Sequence, residues 1–102
     1  MTAPGENSEI SRASIVVATK DQVSSDLAGE TVVLSMQSAM YYGLDQVGSR
    51  VWELVREPIR VSDILDAIMN EYDVEPEQCE ADVRAFLGEL AAKGLIEVRD
   101  GA

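Results

Sequence analysis

Residues 31–55 read TVVLSMQSAMYYGLDQVGSRVWELV, and the fold turns on where their hydrophobic period changes. Up to Leu44 the pattern is that of strands. Thr31 to Met36 is rich in β-branched residues, Gln37-Ser38 is a turn pair, and Ala39 to Leu44 is a tyrosine-rich strand. In that strand Met40, Tyr42 and Leu44 share one face, which is expected to pack on helices. From Asp45 onward the apolar residues Val47, Val51, Trp52, Leu54 and Val55 fall at helical spacing. Asp45 is the expected N-cap, and Pro58 is expected to end this helix after Glu57.

Upstream, Ser14 to Ala18 (SIVVA) and the period-two residues Val23, Ser25 and Leu27 give further strands, with Ala28-Gly29-Glu30 as a turn. Residues 1–12 carry Pro, Gly and Ser and read as a loose leading tail before a domain spanning 13–99. Downstream, Ser62 is a second expected N-cap, followed by a stripe of Ile64, Leu65, Ile68, Met69 and Tyr72. Asp73-Val74-Glu75 breaks that helix, and Pro76 suits the first position of the next. The third helix carries Cys79, Val83, Phe86, Leu87, Leu90 and Ala91 on one side, and Lys93-Gly94 closes it. Leu95 to Val98 is a short final strand. The expected class is α+β: a winged helix-turn-helix, with a three-stranded antiparallel sheet followed by three helices.

Composition narrows the chemistry. The 102 residues suit one domain with a modest core. Eight Lys and Arg face nineteen Asp and Glu, a formal net charge of −11. Such a charge repels phosphate backbones and favours basic partners, although acidity also serves plain solubility. There is no His and a single Cys, so neither a Ser-His-Asp triad, a Cys-His pair nor a structural zinc site can be built. The chain carries no glycine-rich phosphate loop, no apolar run long enough for a membrane span and no secretory signal. The expectations are a cytoplasmic protein that is not an enzyme, needs no cofactor or metal, and binds neither nucleic acid nor membrane.

Individual residues carry two readings each. Glu71, Asp73, Glu75 and Glu77 could attract a cation, but they lack an EF-hand's glycine and regular ligands, and a solvated acidic turn is favoured. Arg84 could clamp a ligand carboxylate or pair with Glu80 one turn away. Trp52 reads as a core anchor and Cys79 as a buried structural thiol. Tyr41 and Tyr42 must face opposite sides of a strand. They suit an ordinary strand, or an open edge strand that accepts another from a partner. A DNA-binding reading would make the third helix the recognition helix. From Glu77 to Lys93 it carries four carboxylates against two cations, which opposes entry into a groove.

The run Met40-Tyr41-Tyr42-Gly43-Leu44-Asp45, with Gly48, Val51, Trp52 and Leu54, resembles the "Y-x-L-N … G … I-W-x-L" stretch of the PqqD-like family. Ser62 to Tyr72 resembles its second-helix pattern. Asp82-Val83, Phe86-Leu87, Leu90 and Gly94-Leu95-Ile96 resemble its "D-V-x-x-F-L-x-x-L-x-x-x-G-L-I" ending. The resemblance spans about residues 14 to 98; Asp45 stands where the family often has Asn, and both cap helices. It implies a recognition element for precursor peptides that are made ribosomally and then modified, most like the free-standing leader-binding protein of lasso-peptide clusters. The implied partners are the precursor's leader peptide and a separate leader peptidase. The implied mode adds the leader as a strand beside Ala39, Met40, Tyr41, Tyr42, Gly43 and Leu44, with side chains reaching Asp82, Val83, Phe86 and Leu90. On this reading Tyr42→Pro is expected to remove a donor from the docking edge. The alternative is a winged-helix transcriptional regulator.

Overall fold

The computed structural model describes residues 10–20, 22–27 and 30–99. The order is β1 (Ile15–Ala18), β2 (Gln22–Leu27), β3 (Glu30–Ser35), β4 (Tyr41–Leu44), α1 (Gln46–Leu54), β5 (Ile59–Arg60), α2 (Val61–Glu71), α3 (Pro76–Ala92) and β6 (Ile96–Arg99). The class is α+β, but the strands form two three-stranded antiparallel sheets instead of one. One runs β2-β3-β4 and is a meander; the other runs β5-β1-β6. The first strand therefore leaves the meander and pairs Val17 with Glu97 and Val16 with Ile59. The two-residue β5 has no period to detect, so it does not stand out in the sequence.

Each helix end has a physical cause. Asp45 caps α1 as expected, its carboxylate accepting from the Gly48 N–H at 2.7 Å. The helix stops at Leu54, before the Glu57 expected from Pro58, and Val55 to Glu57 form a turn. Val55 is fully buried, and its carbonyl accepts from Ala18 N–H at 2.7 Å. Ser62 is not the cap of α2; the cap position is Arg60, without a side-chain cap bond. The first donors are satisfied by main chain instead, Val61 N–H on the Ser14 carbonyl and Ser62 N–H on that of Arg12. Pro76 opens α3 as expected. At its other end Gly94 adopts φ +75°, Gly94 N–H bonds Ala91 and Leu95 N–H bonds Leu90, the paired pattern of a Schellman motif.

The core lies between the helices and the inner faces of both sheets. Trp52, Ile64, Leu65, Ile68, Leu87 and Leu95 are its largest buried members, with Val16 and Val33 from the sheets. Ile10 also belongs to it, 2 % exposed. The expected loose tail is thus tied down before residue 12: Arg84 Nε donates to the Ile10 carbonyl at 2.9 Å, and Arg12 lies 3.7 Å from Glu80. The rest of that tail, and Ala28 and Gly29 of the expected turn, lie outside the described residues. Leu27 and Glu30, on either side of that turn, are register partners. Among the described residues no helix is long and apolar enough to cross a membrane.

Candidate functional site

Strand β4 is the outer strand of its sheet and, among the described residues, pairs with β3 alone. It is shorter than the expected Ala39–Leu44. Ala39 sits at φ 58° in the connecting loop, and Met40 is 55 % exposed there, so Met40 does not join the core face with Tyr42 and Leu44. Ser35 N–H donates to the Met40 carbonyl at 2.9 Å. Hydrogen-bonded and non-bonded pairs alternate along an antiparallel ladder. With Val33 opposite Tyr42 and Leu34 opposite Tyr41, that bond fixes the parity of the strand. Met40, Tyr42 and Leu44 turn their main-chain groups toward β3, and Tyr41 and Gly43 turn theirs to the free edge. Ser49 supports the same parity: its hydroxyl accepts from Thr31 N–H at 3.1 Å and donates to the Leu44 carbonyl at 3.3 Å, bridging the last inward pair. Tyr42 is thus not a donor on the free edge, contrary to the sequence-based expectation.

The two tyrosines separate as strand geometry requires. Tyr41 is 71 % exposed on the outer face. Tyr42 is half-buried against the core, and the Lys93 ammonium of α3 lies 5.3 Å from its ring centroid. Further along, a Cβ on Gly48 would meet Phe86 Cζ at 3.4 Å and Leu44 Cβ at 3.5 Å. Helix α3 therefore runs beside β4, with Lys93 near Tyr42 and Phe86 near Leu44. The tightest contact of such a Cβ would be with the capping Asp45 Oδ1, at 3.1 Å, so glycine at 48 leaves room for the cap.

A cavity of about 360 Å³ opens at the end of β4, where Asp45, Val47 and Val51 face Cys79, Val83 and Phe86. Ile68 and Val74 also line it, and Asp82 and Gln78 stand on the α3 side. Its wall is mainly apolar, with two carboxylates, those of Asp45 and Asp82. Of the four α3 positions expected at the site, Asp82, Val83 and Phe86 line this cavity. Leu90 does not: it is 3 % exposed and belongs to the core. Nothing in the sequence marks Val47, Val51, Ile68, Val74 and Cys79 as site residues, because an apolar residue at helical spacing looks the same lining a cavity or filling a core; Gln78 looks like any polar position on a helix. Burial, with nearby Asp82 and Glu80, pushes the Cys79 thiol up from its ordinary value.

The other candidates resolve structurally. Arg84 lies 3.4 Å from Glu80 and also holds Ile10, so it faces away from the cavity. Glu71 is held by Arg50 at 2.8 Å, which keeps its carboxyl below the usual range and raises the guanidinium. Trp52 is 1 % exposed, with Nε1 buried and lacking a hydrogen-bond partner among the described residues.

A family profile described as coenzyme PQQ synthesis protein D (PqqD) matches residues 30–96, more than half of the chain. No curated protein matches the chain. A solved structure described as TbiB1 in complex with the TbiA(beta) leader peptide is 43 % identical, with a TM-score of 0.74, covering 79 % of this chain and 94 % of that one. Another, described as lasso peptide synthetase B1 complexed with the leader peptide, has a TM-score of 0.71 at 18 % identity, covering 80 % and 96 %. At that identity the second likeness is one of fold. The profile match across β3 to β6, together with the first of these structures, shows that the chain belongs to the PqqD family, a family of binding domains and not of enzymes.

Proposed function

We propose that this domain captures the leader segment of a ribosomally made precursor peptide by taking it as an antiparallel strand along β4. The observation that carries this reading is the free edge of β4, with a mainly apolar cavity between α1 and α3 beginning at Asp45, the residue that follows the strand. Main-chain groups at Tyr41 and Gly43 supply affinity, and side chains entering between β4 and α3 supply selectivity. Ala39 and Met40 meet the strand at its loop end; Asp82, Val83 and Phe86 line the pocket at the other. Leu90 acts from beneath, as packing. The leader complex of the structure that is 43 % identical supports the class of ligand.

The sequence resemblance further supports a lasso-peptide pathway and delivery of the bound precursor to a separate leader peptidase. We read α1, β5, α2, α3 and β6 as a winged helix-turn-helix whose third helix has been given over to peptide binding. The regulator alternative would place α3 in DNA, where Glu77, Asp82 and Glu89 oppose phosphate. Titrating a fluorescently labelled precursor leader peptide into the protein tests the proposal. Saturable binding is expected, and no binding at roughly tens of micromolar overturns it.

A further inference from the structure

The eight cations of the chain are unevenly placed. Arg50 bridges Glu53 and Glu71, Arg12 and Arg84 meet Glu80, Lys93 lies over Tyr42, and Arg60 donates to the Ala13 carbonyl. The remaining three, Lys20, Arg56 and Arg99, line a single concavity of about 840 Å³. It is bounded by β1, β2 and β6, so it lies between the two sheets. Among its described lining residues Glu97 is the one carboxylate. Glu97 sits 3.4 Å from Arg99, with the two side chains 58 % and 56 % exposed, a pairing that water weakens to little. Arg56 Nη2 donates only to Ser24 Oγ at 3.0 Å, and neither Arg56 nor Lys20 has a carboxylate in salt-bridge reach among the described residues. Asp21 and Asp100, the chain neighbours of Lys20 and Arg99, lie outside the described residues. Gln22, also on the lining, has a buried Oε1 without a hydrogen-bond partner among the described residues.

We propose that this concavity docks a carboxylate-rich segment of a partner protein. Among the described lining residues three cations face one carboxylate, so the concavity is net positive in a molecule of net charge −11, and a concave surface focuses that charge. Thr19, Gln22 and Ser24 add neutral groups that suit a peptide main chain, and the Gln22 oxygen needs a donor such as a main-chain N–H. A nucleic acid presents a long polyanion and meets the −11 net charge around the patch, whereas a short acidic segment need cover only the patch. The segment does not compete for β4, because β2 and β4 are opposite edges of one sheet.

The test uses the full chain labelled with ¹⁵N and a synthetic oligoglutamate peptide at low salt, with oligolysine, inorganic phosphate and a short single-stranded RNA as comparisons. Saturable amide shifts are expected around Thr19-Lys20, Gln22 to Ser24, Arg56 and Glu97 to Arg99. They should fade toward about 0.5 M salt, where charges are screened within a few ångströms. Lys20→Glu with Arg56→Glu should weaken oligoglutamate binding by about tenfold or more, with the fold kept by circular dichroism. If that pair disturbs folding, Lys20→Gln with Arg56→Gln gives the same readout with a smaller loss. Absent or non-saturable shifts, shifts centred elsewhere, unchanged affinity in the folded variants, or tighter binding of phosphate or RNA at the same residues each overturn the proposal.

Discussion

Replacing Tyr41 and Tyr42 in turn by proline separates a docking edge from a structural strand. Tyr42 turns its N–H toward Val33, whose residue is fully buried. Tyr42→Pro removes that bond and orphans a buried carbonyl, at a cost of about 1–3 kcal/mol. The lost packing of the half-buried ring adds about 1 kcal/mol more. Since each kcal/mol moves the midpoint of a domain this size by roughly 4–8 °C, a Tm drop of more than about 10 °C is expected. Tyr41 is exposed and, among the described residues, its N–H meets no partner strand. Tyr41→Pro should leave the Tm within a few degrees. Its effect appears on binding. Tyr41 and Gly43 together offer two donors and two acceptors to an added strand. At about 1 kcal/mol each, these bonds account for roughly a thousandfold in Kd. Losing one donor, and placing a ring against the incoming strand, should weaken the leader by about tenfold or more. Gly43→Pro should behave likewise, since a Cβ there meets nothing within 4 Å. The assay is anisotropy of a labelled leader beside a thermal melt of each variant. Wild-type affinity in folded Tyr41→Pro and Gly43→Pro variants would refute docking along β4. Wild-type stability in Tyr42→Pro would refute the strand parity itself.

Further measurements probe the surroundings. Asp45→Ala removes the side-chain cap of α1 and should cost about 1 kcal/mol, read by denaturant titration, whereas Asp45→Asn should cost little. Cys79 is buried with its thiol pKa raised, so the folded protein should resist a thiol reagent near neutral pH and react once unfolded; prompt labelling of folded protein contradicts this burial. Glu71 has a lowered pKa, so the stability it contributes is present above the ordinary carboxylate range and is lost as pH falls through its folded value. Carboxyl NMR should show it titrating below the ordinary glutamate range. Leader association should slow as salt rises if the acidic surface steers a basic leader, and a salt-independent on-rate removes that contribution.

Much of the local architecture was legible because its causes are local. The switch of period at Asp45, the cap there, Pro76 at the start of α3 and Gly94 at its end are each decided by neighbours within a few residues. The absence of His and the excess of carboxylates excluded whole classes of chemistry without any coordinates. The family resemblance brought Asp82, Val83 and Phe86 to attention, and these three line one cavity.

What the tertiary structure decided is non-local. A strand's period of two tells which face a residue takes and says nothing of which strand it meets. So β1 could be assigned to the meander by adjacency, although its partners lie in β5 and β6, far along the chain. The same limit hid which N–H groups of β4 look outward, since that depends on a single bond from Ser35 to Met40 that sets the ladder. Met40 and Leu90 show it for side chains: both are apolar at plausible site positions, yet one lies exposed in a loop and the other is enclosed by the core. The sequence determined that this is an acidic α+β domain with three helices and little means of catalysis. Only the packing of distant strands and helices decided which edge stays open, and which main-chain groups a partner can reach.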